Sequence, residues 1–329
     1  MSPSRLTRKP YIMSDFSYEQ GRLNRTLRKR KKNAYRKLIA ESSQNGMSLF
    51  VRTNDPISSS PIIHGDYDPV MMSFNQWCSQ SGYDDFFIDV GANIGLSCCL
   101  NAHLFNLVFA YEPNPLAFKI LEVNTHAYNS KNNISVNNFG LGPTDDNVEL
   151  VIPKHNWGGA FIADENNAYS NDLLASKDGF TAISNITHTK HKVRIKDCQK
   201  EIQNVFSQVK KGKNDNAKGV IKIDVEGYEK VILGEIAKAI PEDISLFLVF
   251  ENWQKNLDLK PLLTMFSRPT KIYLMDKKRP LDATEAQSIL ERFKRLVVNA
   301  RCEYKLFELS PDKEYADLYG EIVIHIPPI

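Results

Sequence analysis

The stretch FIDVGANIG, residues 87–95, limits the possible folds of this chain more than any other. An apolar run ends at Asp89-Val90, a turn containing Gly91 and Gly95 follows, and the next segment has the length of a helix. A second short apolar run, LVFAYE, comes after that segment. Strands that are apolar on both faces and alternate with helices are typical of a parallel sheet covered by helices on both sides. The sequence therefore predicts an α/β fold.

The positions of the glycines indicate which ligand the turn can bind. A helix that begins directly after a strand offers free backbone N–H groups, and ligands gather at the carboxyl ends of such strands. The dinucleotide fingerprint requires glycine at three places. Counted from Gly91, the second and third of these places are occupied by Asn93 and Leu96, so the fingerprint is absent. No Gly-Lys-Ser/Thr follows, so a phosphate-binding loop is excluded as well. A nucleoside cofactor without phosphates fits this pattern, and S-adenosylmethionine is the common one.

Two carboxylates accompany the turn. Glu112 ends the second strand about 21 residues after Gly91, which is the spacing of a carboxylate that binds both ribose hydroxyls. Asp89 would lie beside the cationic amino-acid end of the cofactor. The alternative is a glycine turn that only joins strand to helix, with Asp89 as a buried carboxylate. The sequence Glu-Pro-Asn at 112–114, after the second strand, favours the cofactor site.

The remaining chain suggests one large domain preceded by an extension. GVIKIDV, ISLFLVFE, KIYLMD and EIVIHI read as further strands. We assign residues 1–69 to an N-terminal basic helical extension with a linker, and residues 70–329 to the main domain. Residues 19–40 form the basic helix, which either binds anionic lipid, nucleic acid or a phosphorylated glycan, or is a solvated surface helix. The absence of interleaved aromatic residues favours the surface helix.

Bulk composition narrows the partners and the compartment. The chain has 42 basic and 39 acidic residues and a net charge of +3, so nucleic acid is not expected as a general partner. No run approaches the ~18 apolar residues of a membrane span. The N-terminus lacks the apolar segment of a signal peptide, and five cysteines without regular spacing suit a reducing compartment. A cytoplasmic protein is expected, and its oligomeric state is not predicted.

Three segments together resemble one protein family. FIDVGANIG, YEPNPLAFKILEVN and IKIDVEGYEKVILGE, in this order and spacing, are similar to the FkbM family of S-adenosylmethionine-dependent methyltransferases over roughly residues 64–253. The resemblance implies a class I methyltransferase fold: a Rossmann-like, mostly parallel seven-stranded sheet with helices on both faces. It implies methyl transfer to a hydroxyl oxygen, often of a sugar or a natural product. Carried over by position, the residues that line the cofactor would be Asp89, Gly91, Asn93, Gly95, Glu112 and Asn114.

The segment KIDVEGYE carries the main candidates for catalysis. The resemblance places Asp224 and Glu226 at the carboxyl end of the fourth strand, facing the transferred methyl group. An alcohol must lose its proton during transfer, so one of these carboxylates could be the general base. The pair could instead bind a divalent metal, which no other residues indicate, or cap the next helix and complement its dipole. Glu251 is a third candidate, although Asn252 and Trp253 follow it where the family often has a histidine.

The acceptor pocket is the least defined part of the prediction. His64 and His155 lie in predicted loops and could reach the site as acid or base. Trp157, in NWGGAF, either offers a flat face to a sugar or is the core residue of a tight turn. We therefore predict an O-methyltransferase that acts on a small-molecule or glycan hydroxyl. The alternatives are a module that keeps the fold without turnover and a nucleic-acid methyltransferase that uses the basic helix.

Overall fold

The computed structural model describes residues 30, 49–52, 55, 57, 67–128, 131–170, 173–175, 179, 182–211, 216–252, 258–277, 304–310 and 320–328. The chain divides into two units, Met1–Met47 and Ser48–Ile329, and all elements described below belong to the second. Apart from Arg30, the predicted basic helix at 19–40 lies outside the described residues, as does His64. The division at residue 69 stays a prediction.

The first half of the chain alternates between strands and helices before it turns to strands alone. Its elements are α1 (Pro69–Gln80), β1 (Phe86–Val90), α2 (Leu96–Asn101), β2 (Leu107–Tyr111), α3 (Pro115–Tyr128), β3 (Ile134–Asn137), β4 (Gly140–Gly142), β5 (Asp146–Pro153), β6 (Phe161–Ile162) and β7 (His188–Asp197). Short 3-10 turns follow α2 at Ala102–Leu104 and precede β6 at Trp157–Gly159.

The second half returns to alternation. Its elements are α4 (Cys198–Lys211), β8 (Lys218–Ile223), α5 (Glu229–Ala239), β9 (Ser245–Asn252), α6 (Leu259–Thr264), β10 (Lys271–Lys277), β11 (Tyr304–Leu309) and β12 (Gly320–Ile326). In the described part of the chain, no helix is both long enough and apolar enough to cross a membrane.

The main sheet has eight strands in the order β11-β10-β12-β9-β8-β1-β2-β3. The five strands from β9 to β3 pair in parallel, and the remaining pairings are antiparallel. This confirms the predicted α/β fold of the class I methyltransferase type. The sheet is more mixed than expected and has an eighth strand, β11, which the sequence did not predict. β11 lies at the sheet edge and leaves Phe307 exposed, so its sequence lacks a continuous apolar run.

The strands divide their side chains between two apolar layers. Phe86, Ile88 and Val90 of β1 pack on the side of α4 and α5, whereas Phe87 packs on the side of α1 and α2. Side chains alternate along a strand, so Asp89 lies on the same side as Phe87. The same alternation on β8 places Lys222 on that side too, because Val220 belongs to the second layer. Asp89 and Lys222 are register partners across the two strands.

A second, four-stranded sheet has the order β4-β7-β5-β6. The sequence indicated strands within β5 and β7, and these two pair antiparallel from Asp146↔Ile195 to Pro153↔His188. Their apolar residues form a small cluster of their own, and Trp157 packs against it. This sheet supplies one wall of the cavity described next.

Helix α1 fixes the chain just before the main domain. Asp68 is its N-cap and accepts a hydrogen bond from the Met71 backbone N–H at 3.0 Å, and Pro69 occupies the first turn. An aspartate cap followed by proline is a strong start signal for a helix. The cap holds Tyr67 and Asp68 at the mouth of the main sheet, where both line the cavity.

Candidate functional site

A cavity of about 330 Å³ lies at the carboxyl ends of β1, β2, β8 and β9. Its lining includes Gly91, Ala92 and Asn93 of the β1–α2 turn (Gly91–Gly95), which we call the cofactor loop, and apolar residues of both sheets. Besides Glu112, it includes five acidic residues, which we call the carboxylate cluster: Asp68, Asp224, Glu226, Glu251 and Glu321. The residues that line the cavity in the described part of the chain include one basic side chain, Lys222.

The two glycines of the cofactor loop are required for different reasons. Both have positive φ, 88° at Gly91 and 87° at Gly95. A Cβ on Gly91 would lie 1.9 Å from the carbonyl oxygen of Asp224, so the turn needs glycine for the close approach of the loop after β8. A Cβ on Gly95 would lie 2.6 Å from Leu121 Cδ1 of α3. Gly91 lines the cavity, whereas Gly95 packs helices together and does not.

Glu112 is fixed by main-chain hydrogen bonds to both carboxylate oxygens. The Asn93 N–H donates to Oε2 and the Asn114 N–H donates to Oε1, each at 2.7 Å. The side chain is buried and lines the cavity. Burial raises the pKa of Glu112 to about 7, although the two N–H donors oppose the shift. The carboxylate is thus oriented before any ligand arrives.

Asn114 supports Glu112 and does not contact the cavity directly. Its side-chain Oδ1 accepts hydrogen bonds from the backbone N–H groups of Leu116 and Ala117 at 3.0 and 3.5 Å, which start α3. Its Nδ2 donates to the Trp157 carbonyl at 3.4 Å. Asn93, in contrast, lines the cavity in a left-handed conformation with φ of 50°.

Asp89 and Lys222 form a buried charge pair beneath the cofactor loop. Asp89 is 0% exposed, and neither oxygen accepts a well-formed hydrogen bond within the described part of the chain. Its Oδ1 lies 3.7 Å from Lys222 Nζ, and burial raises the pKa of Asp89 while Lys222 lowers it. Lys222 is 7% exposed. Burial alone would lower the pKa of Lys222, but Asp224, Asp89 and Tyr67 raise it well above its usual value.

Asp224 also pairs with Lys222, but its side chain is half exposed to solvent. Its Oδ2 accepts a hydrogen bond from Lys222 Nζ at 2.7 Å, and its side chain is 48% exposed. Its backbone N–H donates to the Val90 carbonyl at 2.8 Å, which ties the loop after β8 to the end of β1. Helix α5 begins only at Glu229 and has Tyr228 as its N-cap residue. Asp224 therefore pairs with Lys222 and does not cap the helix.

Glu226 also lines the cavity, but its neighbour Gly227 has a structural role. Gly227 has a φ of 84°, and a Cβ there would lie 1.9 Å from Asn167 Oδ1. Asn167 Nδ2 donates to the carbonyls of Glu226 and Ile162 at 3.0 and 2.8 Å. The space beside Gly227 is therefore filled by Asn167 and is not left for an acceptor.

Sequence reasoning missed Glu321, which faces Glu251 across the sheet. The two are register partners in the antiparallel pair β9–β12, and both line the cavity. Burial, with smaller contributions from Asp68, Asp224 and Glu251, raises the pKa of Glu321 to about 8, and Lys222 opposes the shift. A charged residue in an otherwise apolar strand segment, such as the glutamate of EIVIHI, could have indicated this position. The lone lysine of GVIKIDV could have indicated Lys222 in the same way.

The three predicted acceptor residues have different positions. Trp157 lines the cavity, its backbone N–H donates to Asp55 Oδ2 at 3.1 Å, and the Arg52 guanidinium lies 4.1 Å from its ring centroid. One ring face is therefore covered by Arg52. His155 is exposed and does not line the cavity, so the structure does not bring it to the site. His64 cannot be placed, as stated above.

Metal ligation can be assessed for the described segments. There, no group of three or more histidine, cysteine or acidic side chains is arranged to hold a metal ion.

The strand order and the alternation of strands and helices define the class: an α/β protein with a fold of the class I methyltransferase type. The family follows from a sequence match. Residues 89–251 match the family model described as the methyltransferase FkbM domain, and the chain belongs to the FkbM methyltransferase family. The match includes Asp89 at one limit and Glu251 at the other.

Solved structures give more distant likenesses. A methyltransferase FkbM from Methylobacillus flagellatus KT is 14% identical, with 74% of this chain and 44% of that chain covered and a TM-score of 0.35. A precorrin 8W decarboxylase from Methanobacterium thermoautotrophicum is 12% identical, with 85% and 100% covered and a TM-score of 0.36. An O-methyltransferase from Bacillus cereus in complex with SAH is 10% identical, with 90% and 91% covered and a TM-score of 0.33. No curated protein matches the chain.

Proposed function

We propose that the protein is an S-adenosylmethionine-dependent O-methyltransferase that methylates a hydroxyl of a saccharide, a glycan or a similar natural product. The observation that carries the proposal is Glu112. A buried carboxylate with both oxygens oriented by main-chain N–H groups, one turn away from a glycine loop, is suited to the two hydroxyls of a ribose. The family membership supplies the reaction class.

The residues of the cavity fit this cofactor. Glu112 would hold the ribose, and Gly91 leaves the backbone of the cofactor loop bare where the cofactor would pass. Ser97 lines the cavity with a buried hydroxyl that has no hydrogen-bond partner in the described part of the chain. A buried hydroxyl without a partner is costly, and a bound ligand would relieve that cost. Asp89 contributes negative charge close to the loop, where the cationic end of the cofactor would bind.

In this proposal the chain aligns the methyl donor with the acceptor and removes the proton of the acceptor hydroxyl. When bound, S-adenosylmethionine supplies a methyl group whose S–C bond breaks with its electron pair left on sulfur while the new O–C bond forms. Asp224 would take the proton of the acceptor hydroxyl on Oδ1, since Lys222 holds Oδ2. Glu251 and Glu321 line the same cavity and are the next candidates for this role. Proximity and orientation supply much of the remaining rate enhancement.

A polyhydroxyl acceptor suits the carboxylate cluster. Its carboxylates accept hydrogen bonds and offer several sites to neighbouring hydroxyl groups. An anionic acceptor would be repelled, because the cluster contains five acidic side chains against the single ammonium of Lys222. Trp157 also lines the cavity and adds an apolar surface of the kind that sugar rings contact.

Two measurements test the proposal in sequence. Isothermal titration should show binding of S-adenosylhomocysteine to the purified full-length chain, and absence of binding would reject both the cofactor and the enzyme. Incubation with methyl-labelled S-adenosylmethionine and fractionated glycans, lipids or RNA should then place label on a glycan hydroxyl. Label on RNA would favour the nucleic-acid alternative, and binding without any labelled product would favour a module that has lost turnover. A chelator arm reveals any need for a divalent metal.

A further inference from the structure

Lys222 holds Asp224 Oδ2, but this contact alone does not explain why a lysine is buried beside the cofactor loop. It is the single basic side chain among the described lining residues, it is buried, and it lies on the second apolar face of the sheet, between Asp89 and Asp224. A buried lysine is costly unless it is paired, and here two carboxylates stabilise its charge, at 3.7 and 2.7 Å. The phenol of Tyr67 lies close enough to influence the same ammonium.

The inference rests on the proposed function and concerns the charge of the donor. We propose that Lys222 is a positioning residue that offsets the negative charge of Asp89 and Asp224, so that the cavity does not bind a cationic sulfonium much more tightly than the neutral thioether formed from it. It also fixes Asp224 by holding one of its two carboxylate oxygens.

The reason lies in how the charge changes during methyl transfer. The sulfonium is cationic before transfer and neutral afterwards, so an interaction that favours the cation stabilises the ground state more than the transition state. Such an interaction lowers the rate of the chemical step. Seven carboxylates line the cavity or lie beneath it: Glu112, Asp89 and the five residues of the carboxylate cluster. Without an ammonium among them, the site would hold the sulfonium too strongly.

The size of the effect follows from the dimensions of the cavity. In a cavity of about 330 Å³, a unit charge on the wall changes the binding constant of a second unit charge by about tenfold at an effective dielectric constant of ~20. The two ligands, S-adenosylmethionine and S-adenosylhomocysteine, share every group except the methyl and its charge. The ratio of their dissociation constants therefore reports the charge near sulfur, and general damage to the site cancels in this ratio.

The test measures both dissociation constants by calorimetry at pH 8 in the wild type and in variants. Lys222→Met should shift the ratio about tenfold toward S-adenosylmethionine. Lys222→Gln, which keeps a hydrogen-bond donor without the charge, should shift it in the same direction. Asp224→Asn, which leaves the ammonium less neutralised, should shift it toward S-adenosylhomocysteine. Lys218→Met is the matched control on the same strand and should leave both constants unchanged, since Lys218 lies near Tyr83 at the other end of β8.

The results that would overturn the inference differ from the result that would reject the proposed function. Equal weakening of both ligands in the Lys222 variants would show a merely structural lysine and overturn the inference, and so would an unchanged ratio or a shift toward S-adenosylhomocysteine. If the buried Lys222→Met substitution prevents folding, the Gln variant is used. If both fail to fold, the half-exposed Asp224→Asn variant decides, and an unchanged ratio there rejects the proposal. Failure of the wild type to bind either ligand would reject the proposed function itself.

Discussion

The cofactor loop with Glu112 and the carboxylate cluster line one cavity but are built on different principles. Glu112 receives a main-chain N–H on each oxygen, and the donors, Asn93 and Asn114, lie within 19 residues of it in sequence. The carboxylate cluster combines residues from four separate segments, and two of its members, Glu251 and Glu321, face each other across a strand pair. Like charges in that position destabilise a sheet. The Glu112 carboxylate is therefore oriented before a ligand binds, whereas the charge of the carboxylate cluster depends on what binds in it.

The largest effect is expected from removing the proposed base. Asp224→Asn should lower turnover by ~100- to 10,000-fold, which is the usual contribution of a general base, while the protein stays folded and binds S-adenosylhomocysteine. Glu226→Gln is the companion variant, and at least one of the two should be nearly inactive. Methyl transfer to the identified acceptor is measured, with Glu149→Gln on the exposed surface as control. Wild-type rates in both variants would move the base to Glu251 or Glu321.

The next largest effect tests the contact between the two regions. Gly91→Ala should lower the free energy of unfolding by ~3 kcal/mol or more, because its Cβ would collide with the Asp224 carbonyl as well as strain a positive φ. Gly82→Ala is the matched control, since Gly82 has a φ of 82° and open space around its missing Cβ. It should cost only ~1 kcal/mol. Urea denaturation measures both, and equal losses would show that the close approach is unimportant.

A third prediction concerns the preorganised region alone. Glu112→Ala should weaken S-adenosylhomocysteine binding at least tenfold, since each hydrogen bond to a charged group is worth ~1.5–3 kcal/mol. It should also lower the melting temperature of the ligand-free protein, because two buried N–H groups lose their acceptors. Glu122→Ala, on the exposed side of α3, should change neither quantity. Weaker binding with an unchanged melting temperature would mean that the two N–H groups find other acceptors.

The smallest effect separates the regions by pH. Between pH 8.5 and 6.5 the folded chain binds more protons than the unfolded chain, because the pKa values of Glu112, Glu229 and Glu321 are raised to about 7, 8 and 8 by burial. The ligand-free protein should therefore become more stable as the pH falls through this window, by on the order of 1 kcal/mol for each of the three groups. Below pH 6.5 the lowered pKa of His325 acts in the opposite direction.

Binding should show the reverse trend over the same window. Protonated Glu112 accepts fewer hydrogen bonds from a ribose, so S-adenosylhomocysteine affinity should fall as the pH drops below about 7. Glu321→Gln should remove part of the pH dependence of stability and leave that of binding unchanged. If Glu321→Gln alters the pH dependence of both stability and binding, the titrations of Glu321 and Glu112 are coupled, and the two regions are not independent.

The cofactor loop with Glu112 and the carboxylate cluster also differ in how well they could be predicted from the sequence. The proximity of Asp89, Gly91 and Glu112 could be predicted because strand, turn and spacing place them within one local unit. Glu321 and Tyr67 were missed because their places in the cavity depend on strand order and on the segment before α1, which no local pattern encodes. The contact between Gly227 and Asn167 could not be predicted for a similar reason, since Asn167 lies 60 residues earlier in the chain. Distance along the chain, more than chemistry, limited the prediction.

The place of β12 has a consequence for how the protein is made. β12 follows β9, β10 and β11 in the chain, yet it lies between β9 and β10 in the sheet. During synthesis on a ribosome, β9 and β10 emerge first and must wait for a strand that begins at Gly320 before they can join one continuous sheet. That strand also carries Glu321 into the cavity. A truncated nascent chain that stops before this point would thus lack a sheet position and a carboxylate together, and it would present unpaired strand edges to the chaperones and proteases that remove incomplete products.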